Sequence, residues 1–266
     1  MTLLKSRRVH RVLFALSLTL NVLLLALGAV HVWREGGLIY LGQKLGLTRH
    51  EFRSRPFQED RLAFYRQLPN RDGGQRDVIF AGDSHIAGTP FHEIFSPIHN
   101  RGIGGDTTAG LLKRLDEITA RRPESLFLLI GTNDVARQVP VGEVIDNYRQ
   151  ILAGIKRDSP DTRVFVASIP PVNQAIFKAA VDRKPTIQSL NIELKGLAAA
   201  EGATFIDLWP VLADGTGNLK AEFADTDGLH LNLAGKLAMC DALRPHVSVA
   251  AGNASTQSGA PEPASR

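Results

Sequence analysis

Continuous apolar strands alternating with helical stretches over residues 77–247 predict a doubly wound α/β domain on a parallel sheet covered on both faces. Three observations carry that expectation. Short apolar runs recur along this region, helical runs separate them, and clusters of Gly, Asp, Asn and Ser follow the strand exits. In such sheets ligands bind outside the carboxyl ends of the strands.

The first element precedes the domain. Residues 12–30, VLFALSLTLNVLLLALGAV, carry no charge and only Ser17, Thr19 and Asn21 as polar groups. A run of this length, at about 1.5 Å per residue, approaches the hydrocarbon thickness of a bilayer. A core helix would keep a polar face. The run therefore reads as an uncleaved signal anchor over 1–33, with a cleaved signal peptide as the alternative, Ala26 and Gly28 being the small pair at which cleavage would occur. Lys5, Arg7, Arg8 and Arg11 would stay cytoplasmic, which places the rest of the chain outside the cytoplasm.

Residues 34–75 read as a connecting region. Within it Phe57, Leu62, Phe64, Tyr65 and Leu68 give a helical pattern over 55–68, which the PNRDGG cluster at 69–74 ends. The domain itself is expected over 76–248. Strands are predicted at 77–82, 96–102, 125–131, 162–169 and 203–208, and helices at 107–118, 141–157, 184–201 and 231–247. The tail, 249–266, is small, polar and Pro-containing, a composition that predicts disorder.

Composition narrows the function classes. Among 266 residues, 44% are hydrophobic and 22% charged, as in ordinary globular chains. The net charge of +4 owes much to the first eleven residues, and no basic run with interleaved aromatics appears in the body, so nucleic acid is not an expected partner. The one cysteine, Cys240, excludes an intrachain disulfide or a thiolate metal cluster and lies in the apolar stretch LAMCDAL. There is no HExxH, CxxC or Walker-type glycine loop, and no metal or cofactor is expected.

The polar clusters at the strand exits carry the chemistry. They are Gly82-Asp83-Ser84, Asn100 to Asp106, Gly131-Thr132-Asn133-Asp134, and Asp225 to His230. A hydroxyl nucleophile needs a base, and the base an orienting group. Ser84 follows a buried strand, His230 lies in a loop before the last helix, and Asp227 can hold the imidazole from three residues away. His85 competes as base and Asp225 as orienting acid; the spacing favours Asp227. An oxyanion hole needs donors already in place. The Ser84 amide, the Gly105 amide unobstructed by a Cβ, and the Asn133 side chain supply them. Each piece alone has a structural reading: a tight turn at Gly104-Gly105 with Asp106 or Thr107 capping a helix, or a surface hydrogen bond between Asp227 and His230.

Together, FAGDSH, NRGIGGDTT, LLIGTND and DGLHLN resemble the four blocks of the SGNH hydrolases, also called the GDSL family, over about 77–247. NRGIGGDTTAGLLKRL is similar to the platelet-activating-factor acetylhydrolase-like branch. His85 stands where the family often has Leu. The resemblance implies a three-layer α/β/α, flavodoxin-like fold and hydrolysis of acyl esters by Ser84, Asp227 and His230, with the oxyanion held by Ser84, Gly105 and Asn133. Small acyl esters, lysophospholipids and acetylated sugars are the substrate classes it implies. A binding or acyltransferase-accessory module on the same fold is the alternative. SIPPVNQAIFK (168–178) follows a strand exit, so Pro170, Pro171 and Val172 are candidate substrate-binding residues.

Overall fold

The computed structural model describes residues 2–35, 56–68, 77–177 and 182–247. The 69–74 turn cluster and the 249–266 tail lie outside the described residues. The chain divides into two units, 1–51 and 52–266. In the first, α1 (Thr2–Glu35) contains an apolar stretch, Leu13–His31, of mean hydropathy 2.3 whose side chains are all exposed.

The second unit opens with α2 (Pro56–Gln67), which ends one residue short of the predicted stretch at each side. It then builds a five-stranded, all-parallel sheet from β1 (Val78–Gly82), β2 (His99–Gly102), β3 (Ser125–Leu129), β4 (Arg163–Ala167) and β5 (Thr204–Ile206). The spatial order is β2-β1-β3-β4-β5. This is the flavodoxin-like order, in which the chain switches direction across the sheet between β1 and β3 and opens a crevice there.

Every residue of β1 and β3 is buried, because helices cover both faces. Side chains alternate between two core layers. Ile79, Ala81, Leu126, Leu128 and Val166 pack beneath α4 (Thr108–Lys113), α6 (Val141–Asp158) and α7 (Lys184–Ala200) through Leu111, Tyr148, Ile151 and Leu190. Val78, Phe80, Phe127, Leu129 and Phe165 face the other way, toward Phe91, Phe95 and the Met239, Cys240 and Leu243 side of α8 (Leu233–Leu243). Strand register puts Phe80, Phe127 and Phe165 side by side, and their rings stack at 4.6 and 4.5 Å. Burial pushes the Cys240 thiol up to about 12, so it packs as a small hydrophobe.

Strands β3, β4 and β5 are shorter than their apolar runs, and Ile130, Ile169 and Leu208 beyond their ends remain buried in the core layers. The helix predicted over 107–118 breaks at Arg114 into Thr108–Lys113 and Leu115–Thr119. Arg114 points inward there, and its Nε donates to the Asp106 carboxylate at 2.9 Å. The last helix runs only from Leu233 to Leu243, followed by a tighter turn over Arg244–His246 that contains Pro245.

Candidate active site

The four strand-exit clusters meet at the crevice edge. β1 ends at Gly82, Asp83 caps α3 (Ser84–Ala87), and the Asp83 Oδ1 accepts the His85 amide at 2.9 Å. Ser84 thus occupies the first turn of a helix, where its own N–H has no carbonyl of that helix to bond. Its Oγ lies 2.9 Å from His230 Nε2. The His230 Nδ1 meets Asp227 Oδ2 at 2.5 Å, and Asp227 Oδ1 accepts the amides of Leu229 and His230, both at 2.9 Å. The carboxylate is therefore oriented by its own loop. Those bonds hold its pKa down to about 2 despite opposition from partial burial, and the group stays ionised at neutral pH.

Asp225 turns away from the imidazole. Its carboxylate accepts the Thr226 amide, and its backbone N–H donates to the His230 carbonyl, which closes the loop. His85 packs its ring 5.7 Å from that of His230. Burial first, then the nearby His230, lower the His85 pKa to about 3, so it lies neutral against the exposed imidazole rather than bonded to Ser84.

The Gly102–Asp106 turn follows β2. Gly105 has φ +73°, a conformation that a Cβ would strain. Thr107, and not Asp106, caps α4, accepting the Gly110 amide. Asp106 instead accepts its neighbour Thr107's amide and the Arg114 guanidinium. Asn133, in α5 (Thr132–Ala136), donates one amide hydrogen to the Asp106 carbonyl at 2.9 Å. A primary amide has a second hydrogen. The neighbouring Asp134 accepts both the amide and the hydroxyl of Thr108. Pro170, Pro171 and Val172 are buried, Val172 in the core layer. Their segment braces the His230 loop through the Asn173 amide, which donates to the Gly228 carbonyl at 2.8 Å. Ala175 and Ile176 are its exposed residues.

Residue spacing gives no sign of three carboxyls buried together behind the crevice: Asp83, Asp106 and Asp134, each at most 2% exposed. Burial, the largest cause, pushes Asp83 up to about 7, the other two carboxylates adding to it, and burial raises Asp134 to about 6. A carboxyl held up in the folded state keeps a proton that the unfolded chain has released. Its contribution to stability is complete below an unfolded pKa of about 3.9 and is lost as pH rises through the folded value. Asp83→Asn keeps the acceptor for the His85 amide and removes that loss. The melting temperature of the variant relative to the parent should be higher at pH 8 than at pH 5; a difference that does not change with pH would contradict this assignment. Among the described residues, no group of three or more His, Cys, Asp or Glu side chains is placed to hold a metal ion.

Residues 80–238 match the model of the GDSL-like lipase/acylhydrolase family. The chain is 30% identical over 149 residues to a rat platelet-activating factor acetylhydrolase IB subunit alpha2, an alignment covering 48% of this chain and 63% of that protein, less than two thirds of its length. A Streptococcus pneumonia structure described as a platelet activating factor superposes with a TM-score of 0.65 at 36% identity, covering 71% of this chain and 92% of the other. A Geobacillus stearothermophilus acetylxylan esterase shares the fold at 20% identity and a TM-score of 0.52, covering 64% and 94%.

Proposed function

From a chain that belongs to the GDSL-like lipase/acylhydrolase family, whose members hydrolyse esters, we propose a serine ester hydrolase in which Ser84, His230 and Asp227 act as nucleophile, base and orienting acid. The observation that carries this reading is the continuous hydrogen-bonded line from Ser84 Oγ through His230 to Asp227. His230 takes the Ser84 proton as Oγ attacks the ester carbonyl. Asp227 holds the imidazole in the tautomer that leaves Nε2 free to accept and stabilises the imidazolium that forms. The tetrahedral oxyanion is received by the amides of Ser84 and Gly105 and the second hydrogen of Asn133. His230 then protonates the departing alcohol, and water, activated by the same imidazole, resolves the acyl-enzyme.

Small acyl groups are the favoured substrates, carried by simple esters, lysophospholipids or acetylated sugars. The acetylhydrolase subunit named above, 30% identical, supports that class. The full chain in detergent should turn over acetyl esters faster than long-chain ones; absence of turnover across acetyl, butyryl, long-chain and acetylated-glycan esters would favour the binding-module alternative.

The exposed apolar stretch Leu13–His31 of α1 and the basic residues Lys5, Arg7, Arg8 and Arg11 ahead of that stretch support a signal anchor that tethers the hydrolase outside the cytoplasm. An intact N-terminus in the mass of the mature protein is the expected result. A start near residue 29 would point to a cleaved signal peptide.

A further inference from the structure

The helix α2 lies outside the family-matched residues 80–238, yet it holds the turn that carries the Gly105 amide. Tyr65 is buried, its ring lies under the Arg101 guanidinium at 4.9 Å, and its hydroxyl donates to the Gly102 carbonyl at 2.8 Å. One residue past the N-terminus of the helix, Phe57 lies over Gly104. Gln58, 3% exposed, donates its side-chain amide to the Gly104 carbonyl at 2.9 Å.

That last bond bears on chemistry because the Gly104 carbonyl and the Gly105 N–H belong to one peptide unit. The unit is planar, so fixing the direction of its C=O fixes the direction of its N–H. A donor on the carbonyl also polarises the peptide and strengthens the N–H as a donor. The rest of the turn is tied down in the same way. The Ile103 carbonyl accepts the Asp106 amide at 3.1 Å, the Gly105 carbonyl the Arg137 guanidinium at 3.1 Å, and the Asp106 carbonyl Asn133 at 2.9 Å. Each carbonyl from Gly102 to Asp106 is thus engaged, whereas the amides of Gly104 and Gly105 donate no hydrogen bond among the described residues. Gly105 adopts the left-handed conformation that this turn requires, at φ +73°.

We propose that α2 is a working part of the hydrolytic site and that Gln58 is its positioning residue, holding the Gly104–Gly105 peptide so that the Gly105 N–H is aimed at the oxyanion before substrate arrives. The inference rests on the reading of Gly105 as an oxyanion donor. An oxyanion contact forms fully only in the transition state, so loosening its donor lowers kcat and leaves KM in place.

The test is steady-state hydrolysis of p-nitrophenyl acetate by the full chain in detergent, with thermal melts by circular dichroism. Gln58→Met keeps the side-chain length and removes the donor. Because it loosens a donor without deleting one, it should lower kcat by about tenfold, less than the 10²–10³ of a deleted donor, with KM within about twofold. Arg66→Ala, which breaks only an exposed ion pair of the same helix with Asp116, should keep the parental kcat. If Gln58→Met melts before assay temperature, Gln58→Asn, one methylene too short to reach Gly104, is judged by the same split. An unchanged kcat, or a rise in KM alone, would overturn the inference. Ser84→Ala and Asn133→Ala assayed alongside separate the two levels. If both lose activity while Gln58 variants do not, only the role of Gln58 fails; if both keep it, the oxyanion reading and this inference fall together.

Discussion

Ser84→Ala should abolish hydrolysis of p-nitrophenyl acetate, with kcat falling by about 10⁴–10⁶. The size of the effect follows from the geometry. His230 Nε2 stands 2.9 Å from the Ser84 hydroxyl, and its other nitrogen is engaged by Asp227, so the imidazole is already oriented for one proton transfer. Alanine removes the atom that attacks and the proton that the imidazole takes. His85 offers no substitute route: it is buried, held neutral, and makes its contact with the His230 ring. Substrate binding should be nearly unchanged, since the groups proposed as oxyanion donors remain in place. The variant should therefore bind a substrate analogue that cannot react with a hydroxyl, such as the ether in which a methylene replaces the ester carbonyl, with affinity close to the parent. Turnover that survives the substitution would remove Ser84 from the mechanism.

The second large effect is on the fold itself. Gly82→Ala should destabilise the domain by about 3 kcal/mol or more, the upper range for overpacking of a core. A Cβ built on Gly82 would stand 1.9 Å from the Leu129 carbonyl oxygen and 2.8 Å from the Ile86 side chain. The first neighbour is backbone of β3, paired with Gly82 in the sheet, and cannot rotate away. β1 and β3 would have to part at the end from which Ser84 projects. The loss should appear as a drop of several degrees or more in melting temperature together with loss of esterase activity in the protein that still folds. A melt within about one degree of the parent would mean that the strand exit yields at little cost. In the sequence, Gly82 signals only a turn before a serine; its closeness to β3 depends on which strands are neighbours.

That difference runs through the whole site. The parallel α/β architecture was legible because strands buried on both faces must be apolar throughout, as VIFAG and SLFLL are. The clusters holding Ser84, Gly105, Asn133, Asp227 and His230 were legible because each follows a strand or precedes a helix, and parallel strands expose all such exits on one edge. Asp227 could be preferred to Asp225 because a three-residue spacing is a local matter, settled within one turn.

What lies behind that edge was not legible. Asp83, Asp106 and Asp134 read singly as turn residues or caps; their joint burial and the raised pKa values that follow require three separate chain segments to be brought together. The stretch 107–118 read as one unbroken helix; the inward turn of Arg114 that interrupts it becomes necessary only beside the buried Asp106. Pro170, Pro171 and Val172 were placed correctly after a strand exit, but strand position does not tell which side chains face a crevice and which enter the core.

By itself the sequence determined the apolar N-terminal helix, the parallel sheet and the identity of the residues at its rim, since all three follow from local periodicity and from which side chains a strand exit presents. Only the tertiary structure decided that Ser84 Oγ meets His230 across 146 positions of chain, and that Gln58 reaches Gly104 across 46. Such pairings carry no periodic signal. They arise where helices pack on the sheet, and their strength depends on burial and distance, which no single segment contains.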